Sequence, residues 1–338
     1  MNIALDVMGG DYSPEETLKG VFLFLKEQND SIVLLGEAKI IEEGLKKYPF
    51  DKGKIEIINC PEVVSNDILP TEAIRGKENS PIMKGMDLLK KGVSDAFVSA
   101  GNSGAVMAAA ILRLGCIPGI SRPAIAVLIP TFNGNKVILD IGANVDCKPV
   151  HLLHFALMGA SYARYELGIE QPKVALLNIG EEINKGNRLT REAYQLLQER
   201  QDLNFIGNIE GRDIFMGLAD VMVCDGFVGN IVLKTAEGLI SMFMTDFKVS
   251  ILRNLPENDA IKMLKERFSD YTKRRNYKTY GGAPLLGVNG LCFICHGRSK
   301  AEAIKNALHN ASVFVENKGL DHLKALDFHS KYSTQDKS

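Results

Sequence analysis

Lys173-Val174-Ala175-Leu176-Leu177-Asn178-Ile179-Gly180-Glu181-Glu182-Ile183-Asn184-Lys185-Gly186-Asn187-Arg188 is the stretch on which the fold turns. It opens with an apolar run of strand length, and Leu189 to Arg200 beyond it has helical spacing and ends in charge. The polar residues between them form a strand-to-helix loop. In an open parallel sheet such loops sit at the carboxyl ends of the strands, where ligands bind. A lysine between Asn184 and Gly186, at a helix start that already attracts anions, points to a phosphate or another oxyanion.

The same pattern recurs along the chain. Strand, Gly/Asn-rich loop and helix follow one another at residues 6–13, 99–104, 140–149, 178–188, 225–230 and 296–299. One such loop serves only its own turn; the series predicts a lined crevice. The first strand, Ile3 to Met8, leads through Gly9 and Gly10 to Ser13-Pro14-Glu15-Glu16, which spells a capping box with proline at the first helical position. Ser31–Leu35 and Lys54–Asn59 read as strands around a helix at Ala38–Tyr48, so the sheet is parallel with right-handed crossovers. Residues 60–77 form a long loop. Ala124–Pro130 and Lys136–Ile141 read as a hairpin around Asn133-Gly134-Asn135. The sequence has no G-x-G-x-x-G after a strand, no P-loop and no G-x-S-x-G elbow, so neither dinucleotide, nucleoside triphosphate nor a serine nucleophile is indicated.

Composition sets the outer limits. The chain has 338 residues, 46% hydrophobic and 24% charged, enough for a large two-lobed α/β unit. A formal net charge of −1 argues against nucleic acid as a partner, and any anion must be met by a local patch. The N-terminal apolar run carries Asp6 and no preceding basic segment, so it is expected to be neither signal peptide nor membrane span, and the compartment is expected to be cytoplasmic. Six scattered cysteines fit free thiols. Cys292-Phe293-Ile294-Cys295-His296 matches a haem-attachment pattern, but on a strand the two thiols point to opposite faces. His151 and His154 share one helix face without a glutamate to complete a metal motif, and are expected on the helix surface. No metal or cofactor is expected.

From Ala236 to Tyr280 the pattern changes. Leu239, Phe243, Phe247, Ile251 and Leu255 repeat at helical spacing, and Ile261, Leu264, Phe268 and Tyr271 make a second stripe, which predicts a protruding helical hairpin over residues 237–279. Between 260 and 280 there are seven Lys or Arg against two acids. That face is either simply solvated or built for an acidic protein, an anionic membrane or a dimer partner. Residues 318–338 are polar and expected to be frayed.

Taken together, Asp6-Val7-Met8-Gly9-Gly10-Asp11, Ser99-Ala100-Gly101-Asn102-Ser103-Gly104-Ala105, Asp140-Ile141-Gly142-Ala143-Asn144, Asn178-Ile179-Gly180-Glu181-Glu182 with Lys185-Gly186, Cys224-Asp225-Gly226-Phe227-Val228-Gly229-Asn230 and Gly281-Gly282-Ala283-Pro284-Leu285-Leu286-Gly287 resemble the PlsX phosphate acyltransferases of bacterial phospholipid synthesis. The resemblance runs in order from residue 2 to about 316. It implies transfer of a long-chain acyl group from acyl carrier protein to inorganic phosphate, giving acyl phosphate for a downstream glycerol-3-phosphate acyltransferase. It also implies a three-layer α/β/α fold like isocitrate and isopropylmalate dehydrogenases, a homodimer and peripheral membrane association. Lys185 and Asn230 match the positions the family is thought to use in catalysis. Asn102, Ser103, Asp6, Asp11, Asn144, Asp225 and His296 line the same loops as candidates for phosphate and substrate, the aspartates chiefly as loop organisers. Lys273, Arg274 and Arg275 suit an acidic carrier protein, and Leu252 and Leu255 a membrane or dimer contact. A phosphate acetyltransferase using acetyl-CoA and a non-catalytic carrier-binding scaffold are the alternatives. In the acyl-transfer reading phosphate itself is the nucleophile, so no protein thiol or hydroxyl needs activating.

Overall fold

The computed structural model describes residues 1–64, 72, 74–247, 249, 259–274 and 281–328, the side chains of 269–274 excepted. The strands form two sheets. In the first, β1 (Asn2–Asp6), β2 (Ser31–Gly36), β3 (Ile55–Asn59), β4 (Ala96–Ser99), β5 (Ala124–Ile125), β11 (Ala283–Leu286) and β12 (Cys292–Ile294) lie in the order β3-β2-β1-β4-β12-β11-β5. In the second, β6 (Val127–Thr131), β7 (Gly134–Leu139), β8 (Lys173–Asn178), β9 (Asn204–Glu210) and β10 (Val221–Val223) lie in the order β6-β7-β10-β8-β9. Pairing is parallel except around β11 and between β6 and β7.

Alternation along the buried strands follows from helices on both faces. Ile3 and Leu5 of β1 join one apolar cluster and Ala4 the other, as strand geometry requires. The larger cluster is shared by both sheets, because α5 (Pro149–Leu167) brings Leu152, Phe155, Ala156 and Met158 between them. That helix is apolar all round and buried almost all round. His151 and His154 are therefore core residues, which corrects the surface reading. His151 Nδ1 accepts from Lys148 N at 3.0 Å and His154 Nε2 lies 3.2 Å from the Phe328 carbonyl.

Several other expectations are revised. The run Ala124–Pro130 is divided: β5 belongs to the first sheet and β6 to the second, so the chain changes lobes at Ala126. The capping box at Ser13 does not form. Ser13 Oγ turns back to the Gly9 carbonyl, and Glu16 caps α9 (Ala301–Glu316) instead, accepting from Ala301 N at 2.7 Å. A neighbouring helix start offered Glu16 more than its own did. The tail is ordered further than its polarity predicts: α10 (Gly319–Lys324) buries Leu323, and Phe328 is buried beyond it. Residues 329–338 and most of the hairpin tip, including Leu252, Leu255 and Arg275, lie outside the described residues; Lys273 and Arg274 are placed only as backbone of α8 (Asp259–Arg274).

The hairpin's first helix is longer than expected. One helix, α7, runs unbroken over Gly226–Asp246, so residue 237 falls in its middle. Phe247 stacks on Phe268 with centroids 4.3 Å apart, tying the two arms together. By length and composition alone α7 is apolar enough to cross a membrane, with a mean hydropathy of 1.3 over a window only 6% buried.

Candidate active site

Both sheets end in a loop organised by a buried aspartate. Asp6 Oδ1 accepts from Met8 N and Gly9 N, each at 3.0 Å, and its Oδ2 accepts from Ser99 Oγ at 2.8 Å. Asp140 accepts from Ile125 N at 3.1 Å, Ala143 N at 3.2 Å, Asn144 N at 2.6 Å and Asn144 Nδ2 at 2.9 Å. Burial pushes both carboxyls above the usual range, and these hydrogen bonds pull against it. Asp6 and Asn144 are thus turned into their own loops, Asn144 also donating to the Pro123 carbonyl at 2.7 Å. They shape the crevice and do not face it.

Two more candidates serve as helix caps. Asn102 Oδ1 accepts from Ala105 N at 3.0 Å at the start of α4 (Ser103–Arg113), and Asp225 Oδ1 accepts from Val228 N at 2.8 Å at the start of α7. Asp11, exposed, lies 3.8 Å from Arg298 Nε. The lysine loop is closed by its own cap, Asn187 accepting from Thr190 N at 2.9 Å at the start of α6 (Arg188–Gln198).

Between the lobes lies a cleft of about 1150 Å³. Ser103, Asn230 and His296 line it, so three of the expected residues, from two helix starts and one loop, share one space. Its walls include the apolar residues Ile125 to Pro130, Leu233, Ile240 and Pro284. Asn230 fits because its neighbours are small. Gly229 sits where a Cβ would stand 2.0 Å from the Asp140 carbonyl oxygen, and Gly142, at φ +123°, faces the Asn230 side chain.

Lys185 is not in that lining. It stands on the loop after β8, beside β10 in the same sheet, half exposed, with Nζ 3.9 Å from Glu182 Oε1. At that length the ion pair holds it weakly. Sequence reading missed Lys234, Arg298 and Lys300, which line the cleft with His296. The signal for Lys234 was present: it follows Asn230 by four residues, one turn along the same helix face.

No thiol here is prepared as a nucleophile. Burial pushes Cys292 and Cys295 up to about 12, Cys147 to about 12 and Cys60 to about 11, and Cys116 and Cys224 also upward. Cys292 and Cys295 fall in different apolar clusters, as their strand spacing requires.

Helices flanking two mostly parallel sheets make a fold shared with solved phosphotransacylases. A phosphotransacetylase from Streptococcus pyogenes superposes with a TM-score of 0.63 at 19% identity, covering 95% of this chain and 94% of that one. A branched-chain phosphotransacylase from Enterococcus faecalis gives 0.59 at 14%, covering 93% and 99%. At sequence level, residues 1–320 match the fatty acid synthesis protein family, and the chain belongs to it. Two relatives, each called a phosphate acyltransferase, are 51% identical over 317 residues in Dictyoglomus thermophilum and 48% over 318 in Desulforamulus reducens, with 94% of each chain covered.

Proposed function

We propose that this protein is a phosphate acyltransferase that moves a long-chain acyl group from acyl carrier protein to inorganic phosphate. A phosphate oxygen attacks the thioester carbonyl, the carbon–sulfur bond breaks, and the proton of hydrogen phosphate ends on the departing sulfur. The observation that carries this reading is the cleft itself, whose lining brings the polar Asn230 and Ser103 together with an apolar wall of Ile125 to Pro130, Leu233 and Ile240. An enzyme of this kind gathers the anion, holds it near the carbonyl and stabilises the tetrahedral oxyanion. Ser103 and the start of α4 suit phosphate, Asn230 the oxyanion. Lys185 reaches the same reaction by swinging its side chain away from Glu182 across the sheet edge. The six raised thiols support phosphate as the attacking group.

The remaining assignments belong to the same reading. The basic residues of the second hairpin arm, Lys273, Arg274 and Arg275, meet the acidic carrier protein; the exposed apolar surface of α7 and the tip at Leu252 and Leu255 meet a second subunit or an anionic membrane. The enzyme then works as a cytoplasmic, peripherally bound homodimer, and its acyl phosphate goes to a glycerol-3-phosphate acyltransferase. A phosphate acetyltransferase is the second reading, favoured only by the fold of its neighbours, and a two-carbon acyl group would leave the apolar wall empty. Incubating the purified protein with acyl carrier thioester and labelled phosphate tests the proposal. Label in acyl phosphate is expected; label only with acetyl-CoA would select the second reading, and none with either donor would leave a scaffold.

A further inference from the structure

Two nitrogens of the cleft face each other. His296 Nδ1 accepts from Arg298 N at 3.0 Å, which assigns the ring's N–H to Nε2. Nε2 in turn lies 3.3 Å from Lys234 Nζ. Lys234 uses one donor on Glu237 Oε2, at 2.9 Å, which steadies the ammonium and leaves others directed at the cleft. An ammonium and an imidazole N–H set at that distance offer nothing to each other. Both are satisfied by one anionic oxygen placed between them.

We propose that Lys234 and His296 form a subsite for a phosphoryl oxyanion, deepening the acyl-transfer reading on which it rests. Asn230 lies one helical turn before Lys234, so the held group sits beside the residue assigned to the oxyanion. Arg298 and Lys300 line the same cleft and add positive charge; Glu237 and Glu302 are acids of that lining, Asp11 lies 3.8 Å from Arg298 Nε, and Glu16 accepts from Ala301 N beside Lys300. Burial, and next the Lys234 charge, lower the His296 pKa, which keeps the ring neutral near neutral pH and its Nε2–H available as a donor. The phosphoryl group has two possible sources with one chemistry: the acceptor phosphate, or the phosphodiester that joins the donor's pantetheine arm to its carrier. Glu237 positions Lys234 and touches no substrate.

The test separates the sources by one binding measurement and one kinetic comparison. Binding of inorganic phosphate to the full chain is measured by calorimetry for the parent, Lys234→Ala, Lys234→Arg, His296→Ala and His296→Gln. Steady-state constants follow with an acyl carrier thioester and with acyl-pantetheine, which lacks the phosphodiester. If the subsite takes acceptor phosphate, Lys234→Ala and His296→Ala weaken phosphate binding tenfold or more, and the Arg and Gln variants keep most of it. If it takes the diester, phosphate binding is unchanged and KM rises tenfold for the carrier donor alone. Unchanged constants in folded Lys234→Ala and His296→Ala overturn the proposal, as does an equal loss with both donors and no change in phosphate binding. Should Lys234→Ala not fold, His296→Ala decides by the same criteria. Lys234-dependent phosphate binding in a parent without acyl transfer would sink the function reading and leave the subsite standing.

Discussion

The root of α7 is anchored on the Asp140 loop and its far part is not. At the root, Gly226 and Gly229 are buried, Gly226 N donates to the Asn144 carbonyl at 2.8 Å, and Asp225 caps the first turn. About three turns beyond Gly229, Leu239, Met242 and Phe243 are 49%, 56% and 60% exposed. The difference shows how a single helix joins two tasks. Small residues let its root press against the Asp140 loop, fixing Asn230 in the cleft, while large apolar residues farther along stay exposed. An apolar helix is not evidence of a core until its neighbours are known.

The sharpest test of the rooted side is Lys185→Ala, which is expected to lower acyl-phosphate formation by roughly two to three orders of magnitude with an unchanged melting temperature. Turnover within a few-fold of the parent would remove Lys185 from the chemistry. Asn230→Ala should act in the same direction but more weakly. A double variant that loses the simple product of the two effects would argue against a shared intermediate.

Next in size is Gly229→Ala. Its methyl group has no room beside the Asp140 carbonyl, so the root must shift; a displacement near 1 Å costs about a hundredfold in turnover. Overpacking of this kind also costs about 1–3 kcal/mol, readable by thermal unfolding. Parent-like activity would show that the root does not position Asn230.

On the far half, Leu239→Glu with Phe243→Glu should leave the melting temperature nearly unchanged and abolish either binding to anionic vesicles or the dimer mass seen by light scattering. Retention of both would mean that neither contact uses this half. The smallest effect is expected away from both ends, at Glu166. Burial raises its carboxyl from 4.5 to about 7, with Asn317 pulling the other way. The folded state therefore holds a proton that the unfolded state has released, and stability declines as pH rises from about 4.5 through 7. Glu166→Gln should flatten that decline in melting temperature; an identical slope would refute the assignment.

Much of this molecule is local enough to read from its sequence. Apolar runs of strand length, Gly/Asn loops and helical spacing made the strand–loop–helix order and the stripe of α7 legible, because periodicity and turn chemistry act within a few residues. The opposed faces of Cys292 and Cys295 followed from strand geometry in the same way. Long-range choices stayed hidden. Nothing within Ala124–Pro130 tells that its first residues join one sheet and the rest another, nor that Glu16 caps a helix 285 residues away. The burial of His154 required Phe328 to fold back onto it. For the site, the loops were legible but their orientation was not: Asp6 and Asn144 turned inward, and Lys234 met His296 only through packing of separate lobes. Local pattern determines what each segment becomes; which segments meet is decided by burial of surfaces far apart in the chain, where no single window of sequence holds both partners.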